Sequence, residues 1–287
     1  MSEFGPLTSH ALGVLLKEMV RRAIETIQAQ QFTFEASEKT TSYGSGLDFV
    51  TTADHAAQAI YLRMVRECLP GYGIIAEEDE LQVECAFSPS LWITIDPLDG
   101  TRAFMRRQSH GIGTMVALIS EHEVHAAYVG DVTTREIYGY RPGSPKVHRI
   151  SQYSSGVELT VDPQRLLKRQ YLLLHDDPAS FSTESQRLFL TPASRLFSSY
   201  EITRGSVGIE FSRLWKGEVG GILIRPGNIT PWDFAPIIGI SRRLGFVFVN
   251  LETKQVFEME VPRTTLEVNA EVIIVHESRV PELLQFV

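Results

Sequence analysis

Leu12, Leu16, Met19, Ala23 and Ile27 recur at three- and four-residue spacing, which predicts an amphipathic helix over about Ser9 to Gln30. From Phe32 to Gly46 the chain turns polar and glycine-bearing (TTSYGSG), the pattern of a loop or hairpin tip. A second helix is predicted from about Ala53 to Cys68, with Ala57, Ile60, Tyr61, Met64 and Cys68 on one face and Pro70-Gly71 stopping it. The period then changes. Apolar runs of strand length follow at Gly73 to Ala76, Leu91 to Ile95, Gly111 to Ile119, Val124 to Val129 and Glu136 to Tyr140, predicting a sheet with antiparallel stretches. Beyond a Pro-, Gly- and Ser-rich segment from Arg141 to Gly156, strand runs at Tyr171 to Leu174, Gly221 to Ile224, Phe246 to Val249 and Val272 to Val275 alternate with helical segments. Those segments lie near Thr183 to Leu190, Val207 to Lys216 and Trp232 to Arg243. The expected architecture is α+β passing into α/β, with residues 1–150 as an N-terminal α+β half and residues 151–287 as a C-terminal α/β half.

A chain of 287 residues can bury one large core or two intimately packed ones. A formal net charge of −8 with scattered Arg pairs argues against a generic polyanion binder, so no nucleic-acid partner is expected. Cys68 and Cys85 lack metal-ligand spacing and read as reduced thiols of a reducing compartment. Met1 to Gly5 carries no secretory pattern, and the apolar runs fall far short of the ~20 residues of a membrane span, so a cytoplasmic location with no membrane partner is expected.

Carboxylates cluster at three element ends: Glu77-Glu78 after a strand run, Asp96 and Asp99 after Leu91-Trp92-Ile93-Thr94-Ile95, and Asp233 at the start of a helix. Each has an ordinary alternative. Asp96-Pro97-Leu98-Asp99-Gly100-Thr101 alone is a plausible turn, Glu77-Glu78-Asp79-Glu80 alone a solvated acidic run, and Asp233 alone a residue balancing a helix dipole. Together, like charges on rigid element ends call for a cation, and oxygen ligands without His or Cys select Mg²⁺ or Mn²⁺. Pro97 keeps Asp96 out of the helical region, so a kinked loop can aim Asp96, Asp99 and the Leu98 carbonyl at one centre. Gly100 and Thr101 amides at a helix start would form an anion site beside it. His55, His110, His122, His125 and His175 lack triad partners at a recognisable spacing and read as surface or packing residues.

Four blocks stand in order along the chain: D-F-V-T-T-A-D (Asp48 to Asp54), I-I-A-E-E-D (Ile74 to Asp79), W-I-T-I-D-P-L-D-G-T-R-A-F (Trp92 to Phe104) and P-W-D-F-A (Pro231 to Ala235). Together they resemble the inositol monophosphatase superfamily of Mg²⁺-dependent, lithium-sensitive phosphomonoesterases. The resemblance implies a layered αβαβα sandwich, and it implies roles for particular residues. Glu77, Asp96, the Leu98 carbonyl, Asp99 and Asp233 would hold two or three Mg²⁺ ions; Glu78 would sit beside them. Asp54 and Thr101 would polarise the attacking water, while Asp99, Gly100 and Thr101 would hold the phosphate. The family's alcohol-side segment resembles Arg204 to Glu210, making Ser206, Gly208, Ile209 and Glu210 candidate substrate contacts, and a loop lysine is expected near Lys39. A small-molecule phosphomonoester substrate and a homodimer are implied as well.

The branch stays open. Inositol-preferring members carry a glutamate seven residues before the W-D aspartate, where this chain has Pro226. Arg225 and Gly227 resemble instead the R-x-G-x-x-x-W-D arrangement of bisphosphate nucleotidases, and Arg225 joins the substrate-contact candidates. Thr101-Arg102-Ala103-Phe104 is similar to the histidinol-phosphate phosphatase branch. A non-catalytic binding or regulatory protein keeping the fold is the alternative of another class; a mere scaffold would have no use for five converging oxygens.

Overall fold

The first helix, α1 (Ser9–Gln30), begins where the Thr8 hydroxyl caps the amide of Ala11 at 3.2 Å, and it buries the stripe Leu12, Leu16, Met19, Ala23 and Ile27. A hairpin of β1 (Ala36–Lys39) and β2 (Asp48–Thr51) pairs Lys39 with Asp48. The computed structural model describes residues 4–41, 48–87, 89–191 and 195–287, so the expected tip, residues 42–47, lies outside the described residues. Helix α2 (Thr52–Cys68) starts in a capping box, Thr51 receiving the turn's amide and Asp54 receiving that of Thr51.

The next elements are β3 (Gly73–Ala76), β4 (Leu81–Val83), β5 (Trp92–Asp99), α3 (Thr101–Met105), β6 (Gly113–Ile119), β7 (Val124–Asp131), β8 (Ile137–Tyr140), β9 (His148–Ser151) and β10 (Ser154–Glu158). They form an eight-stranded sheet in the order β10-β9-β8-β7-β6-β5-β3-β4, antiparallel except for the β3–β5 pair. Then come β11 (Tyr171–Leu174), α4 (Thr183–Gln186), β12 (Ser199–Ile202), α5 (Val207–Trp215), β13 (Gly221–Ile224), β14 (Gly227–Ile229) and α6 (Pro231–Arg243). The chain ends with β15 (Phe246–Asn250), β16 (Gln255–Phe257), β17 (Leu266–Val268), β18 (Val272–His276) and α7 (Val280–Phe286). The second sheet has six strands in the order β12-β11-β13-β18-β15-β16, and β14 pairs with β17 beside it.

Side-chain alternation assigns the layers. In β5 and β6, Ile93, Ile95, Val116 and Leu118 pack on α1 and α2, whereas Trp92, Met115 and Ala117 face α5 and α6. In the second sheet Leu173, Ile222, Phe248 and Ile274 meet the same two helices from the other side. Their neighbours Leu172, Leu174, Leu223, Ile273 and Val275 turn outward to Leu188, Phe189 and Leu283. The result is the expected αβαβα sandwich, with α5 and α6 as the central layer.

Three details differ from the sequence reading. The strand predicted to end at Ile95 runs on to Asp99. Helix α4 stops at Gln186 rather than Leu190. The segment from Arg141 to Gly156 contains β9 and the start of β10. The strands that escaped the pattern include the sheet edges β4, β10, β12 and β16, which bury too little of either face to carry an apolar signature.

Candidate active site

The two aspartates of the D-P-L-D block sit within a strand rather than in a loop after one. Asp96 pairs with Met115 and Asp99 with Gly113, three steps on β5 against two on β6, so one extra residue bulges out. Pro97, which has no amide to donate, lies in that bulge, and its ring allows the ladder to break there. The bulge brings Asp96 and Asp99 to one side, while the Leu98 side chain packs beneath α1 and α2 and its residue lines the cleft.

The start of α5 secures Asp99. The Ser206 hydroxyl and the Gly208 amide (2.7 Å) donate to one oxygen, and the Val207 amide (3.1 Å) donates to the other. This approach requires glycine at 208, because a Cβ there would meet Met115 Sδ at 2.5 Å and Asp99 Oδ2 at 3.1 Å. Gly100, at φ 88°, caps α3 and leaves no room for a Cβ beside the Gly111 carbonyl and the Ser206 amide. Asp233, in the first turn of α6, accepts from the Thr230 hydroxyl at 2.6 Å.

Oxygens of Asp96, Asp99 and Asp233 all lie within 4.8 Å of one another. Asp96 Oδ1 is fully buried and has no hydrogen-bond partner among the described residues. Burial pushes the pKa of all three aspartates upward, most strongly for Asp96, where Glu77, Asp99 and Asp233 add repulsion; Asp99 reaches about 7. A buried acceptor without a donor, among acids that resist ionisation together, suits a divalent cation, and an all-oxygen set suits Mg²⁺. The residues present therefore fit the implied ion.

Glu77 and Glu78 meet the cleft from the end of β3. Gln58 holds the amide and carbonyl of Glu78 from α2, at 3.1 and 2.9 Å. Lys39 arrives from the end of β1, its Nζ 2.8 Å from Glu77 and 2.9 Å from Glu78, so it reaches the acidic edge of the cleft from a strand rather than a loop. Burial raises the Glu77 pKa to about 8 despite the Lys39 charge, with Glu78 and Asp233 adding to the rise. Asp54 is fully buried; it takes the Thr51 amide and hydroxyl on one oxygen and the Thr101 hydroxyl on the other at 3.0 Å. Burial raises its pKa against the pull of those bonds. The Thr101 hydroxyl also reaches the Leu98 carbonyl at 3.2 Å. Arg102 stacks 5.6 Å above the Phe49 ring at the cleft rim.

The residues expected on the alcohol side divide. Arg225 lines the outer cleft, of about 350 Å³, and pairs with Asp176 at 3.2 Å. Ser206 and Gly208 spend their donors on Asp99, and Ile209 packs in the central core. Glu210 is 2 % exposed and its carboxylate is turned to the His175 ring and the Thr203 hydroxyl, so burial corrects the expectation that it touches a substrate directly. His175, read from sequence as a packing residue, stands in the cleft with Asp99 and Asp233. A single histidine 35 residues from its glutamate carries no sequence signal.

Fold and cleft define a layered αβαβα protein with a buried acidic cluster at the strand ends. The chain belongs to the inositol monophosphatase family, whose family model it matches over residues 11–281. It is 36% identical over 218 residues to the Nus factor SuhB of Vibrio cholerae, covering 75% of this chain and 77% of that one. The SuhB crystal structure from Bartonella henselae superposes with a TM-score of 0.74 at 17% identity, covering 96% of this chain and 97% of that one. A structure described as an IMPase/NADP phosphatase complexed with Mg²⁺ and phosphate gives 0.73 at 18% identity, covering 98% and 96%. Among the described residues no helix is long and apolar enough to cross a membrane.

Proposed function

We propose that the protein is a Mg²⁺-dependent phosphomonoesterase that hydrolyses a small phosphorylated alcohol, most simply inositol 1-phosphate or a related polyol or sugar phosphate. The observation that carries this reading is the partnerless buried oxygen of Asp96, set among Asp99 and Asp233 beside the Asp54–Thr101 hydrogen bond. Glu77, Asp96, the Leu98 carbonyl, Asp99 and Asp233 would hold two or three Mg²⁺ ions. Bound there, the ions would lower the pKa of water and screen the phosphate charge. The chain's own part is positioning. Thr101, oriented by Asp54, holds the attacking water and relays its proton to the carboxylate, while the Gly100 and Thr101 amides grip phosphate oxygens. Glu78 stays beside the cluster, clamped by Gln58.

Arg225 on the outer cleft favours a bisphosphate nucleotidase as a second substrate reading. A regulatory role is supported by the naming of curated relatives as Nus factors. The deciding experiment measures phosphate release from inositol 1-phosphate, histidinol phosphate, 3′-phosphoadenosine 5′-phosphate and fructose 1,6-bisphosphate, with Mg²⁺, EDTA or Li⁺. We expect Mg²⁺-dependent, Li⁺-inhibited release from at least one. No Mg²⁺-dependent release from any of them would sink the enzymatic reading. We propose with it a cytoplasmic location and a homodimer, the latter as the family resemblance implies.

A further inference from the structure

His175 follows directly on β11, and its neighbourhood is fixed by backbone pairing, since the Thr203 amide donates to the Leu174 carbonyl at 3.1 Å. Its Nδ1 faces both carboxylate oxygens of Glu210, at 2.9 and 3.0 Å, and the Thr203 hydroxyl donates to the same carboxylate. Glu210 is buried in the first turn of α5, so it holds one edge of the ring from behind. The His175 side chain is 39% exposed and lines the cleft together with Asp99, Asp233 and the Arg225–Asp176 pair. With Nδ1 committed, the other ring nitrogen is the one left for a ligand in the cleft, where the acidic cluster gives way to the outer cleft.

We propose that His175, locked by Glu210 and Thr203, is a specificity-determining residue that donates its second ring N–H to an oxygen on the alcohol half of the substrate. The proposal rests on the phosphomonoesterase reading and adds to it a preference: leaving groups with an acceptor oxygen next to the ester are favoured over those without one. Glu210 acts through His175 and is a positioning residue. Although burial works against a charged ring, the buried Glu210 carboxylate at hydrogen-bond distance from Nδ1 raises the His175 pKa to about 9, which favours a proton on both nitrogens. The other cations of this region are paired as well, Arg225 with Asp176 at 3.2 Å and Arg204 with Asp177 at 3.8 Å. What remains for a substrate is directional donation from a fixed ring, a cue that a flexible lysine would not supply.

The test compares kcat/KM for the best hydroxylated substrate of the panel with that for para-nitrophenyl phosphate, whose leaving group has no acceptor beside the ester. Loss of one charge-assisted hydrogen bond is expected to lower the ratio of the two by about 10- to 100-fold in His175→Gln. Glu210→Gln keeps the shape but no longer charges the ring, and its ratio should fall between those of the wild type and His175→Gln. Because His175→Gln leaves a buried carboxylate with the Thr203 hydroxyl but no cation, the double variant His175→Gln/Glu210→Gln removes both charges and guards against a folding defect. A ratio within about twofold of the wild type in both variants, whether or not the melting temperature falls, overturns the proposal, since losing a hydrogen bond to a charged group costs more than that. If the wild type releases phosphate from no substrate, the phosphatase reading fails and this inference with it; if it is active and the ratio does not move, only this inference fails.

Discussion

The two ends of the cleft settle their charges in opposite ways. At the outer end every cation named above has a carboxylate: His175 with Glu210, Arg225 with Asp176, Arg204 with Asp177. At the inner end Glu77, Asp96, Asp99 and Asp233 crowd together, Asp96 Oδ1 has no partner, and Lys39 is the cation in direct contact with the Glu77–Glu78 edge. A neutralised network holds its shape without help and can read a ligand by direction. An acidic one is strained until positive charge enters, which ties its stability and its chemistry to an ion.

The largest effect should come from the inner end. Asp96→Asn removes the charge of the carboxylate that carries the partnerless oxygen while keeping its shape, and we expect phosphate release to fall by about 10³-fold, in line with losing an electrostatic stabiliser. Steady-state kinetics at saturating Mg²⁺ would check it; activity within about tenfold of the wild type would mean that Asp96 is not part of the ion site. The fold should survive, because the substitution relieves like-charge repulsion.

The second effect is on stability. Glu77 and Asp99 keep their protons up to about 8 and about 7, whereas unfolded carboxylates release theirs near their ordinary values of 4.5 and 3.8. Between these limits the folded chain binds more protons than the unfolded one, so folding stability falls as pH rises across that window and the penalty is complete above about 8. Below the ordinary carboxylate range the penalty is absent. The metal-free protein should therefore melt several degrees lower at about pH 8.5 than at about pH 5.5, and Mg²⁺ should raise the melting temperature more at the higher pH. Melting in EDTA that is flat or rises over this range would show that the inner cluster is not strained by its charge.

The contrast also explains which parts of the site were legible in the sequence. Asp96, Pro97, Asp99 and Gly100 share one strand end, so their chemistry was written within five consecutive positions, and the apolar runs around them announced the rigid scaffold. The bulge was not visible, because pairing register depends on β6, which the D-P-L-D block does not mention. Lys39 could be suspected but not placed: only pairing of Lys39 with Asp48 brings it back to Glu77. The outer end was legible only in part: Arg225 and the segment ending in Glu210 could be picked out, but not that His175, 35 residues from Glu210, meets it and Thr203 where β11 packs near the start of α5. Glu210, matched to a substrate-lining segment by order along the chain, faces away because the first turn of a buried helix has only one side toward the cleft.

The smallest predicted effect is the one that separates the two ends most sharply. Lys39 lies within ion-pair distance of Glu77 and Glu78, the edge at which a cation would have to arrive, so it both stabilises the metal-free cluster and competes with Mg²⁺ for it. Lys39→Met keeps the length of the side chain and removes the charge. The two consequences have opposite signs: the melting temperature in EDTA should drop, because Glu77 and Glu78 both lose their partner, while the half-saturating Mg²⁺ concentration should fall by about two- to fivefold, a modest gain because the ion must still desolvate the same carboxylates. His175→Gln, at the neutralised end, should shift the Mg²⁺ requirement less than Lys39→Met, because Glu210 answers most of its charge and Asp99 and Asp233 feel only the remainder. A Lys39→Met variant that needs more Mg²⁺ than the wild type would show that the lysine helps to build the ion site instead of standing in for the ion, and the division of the cleft into an end that awaits charge and an end that does not would have to be redrawn around the hairpin.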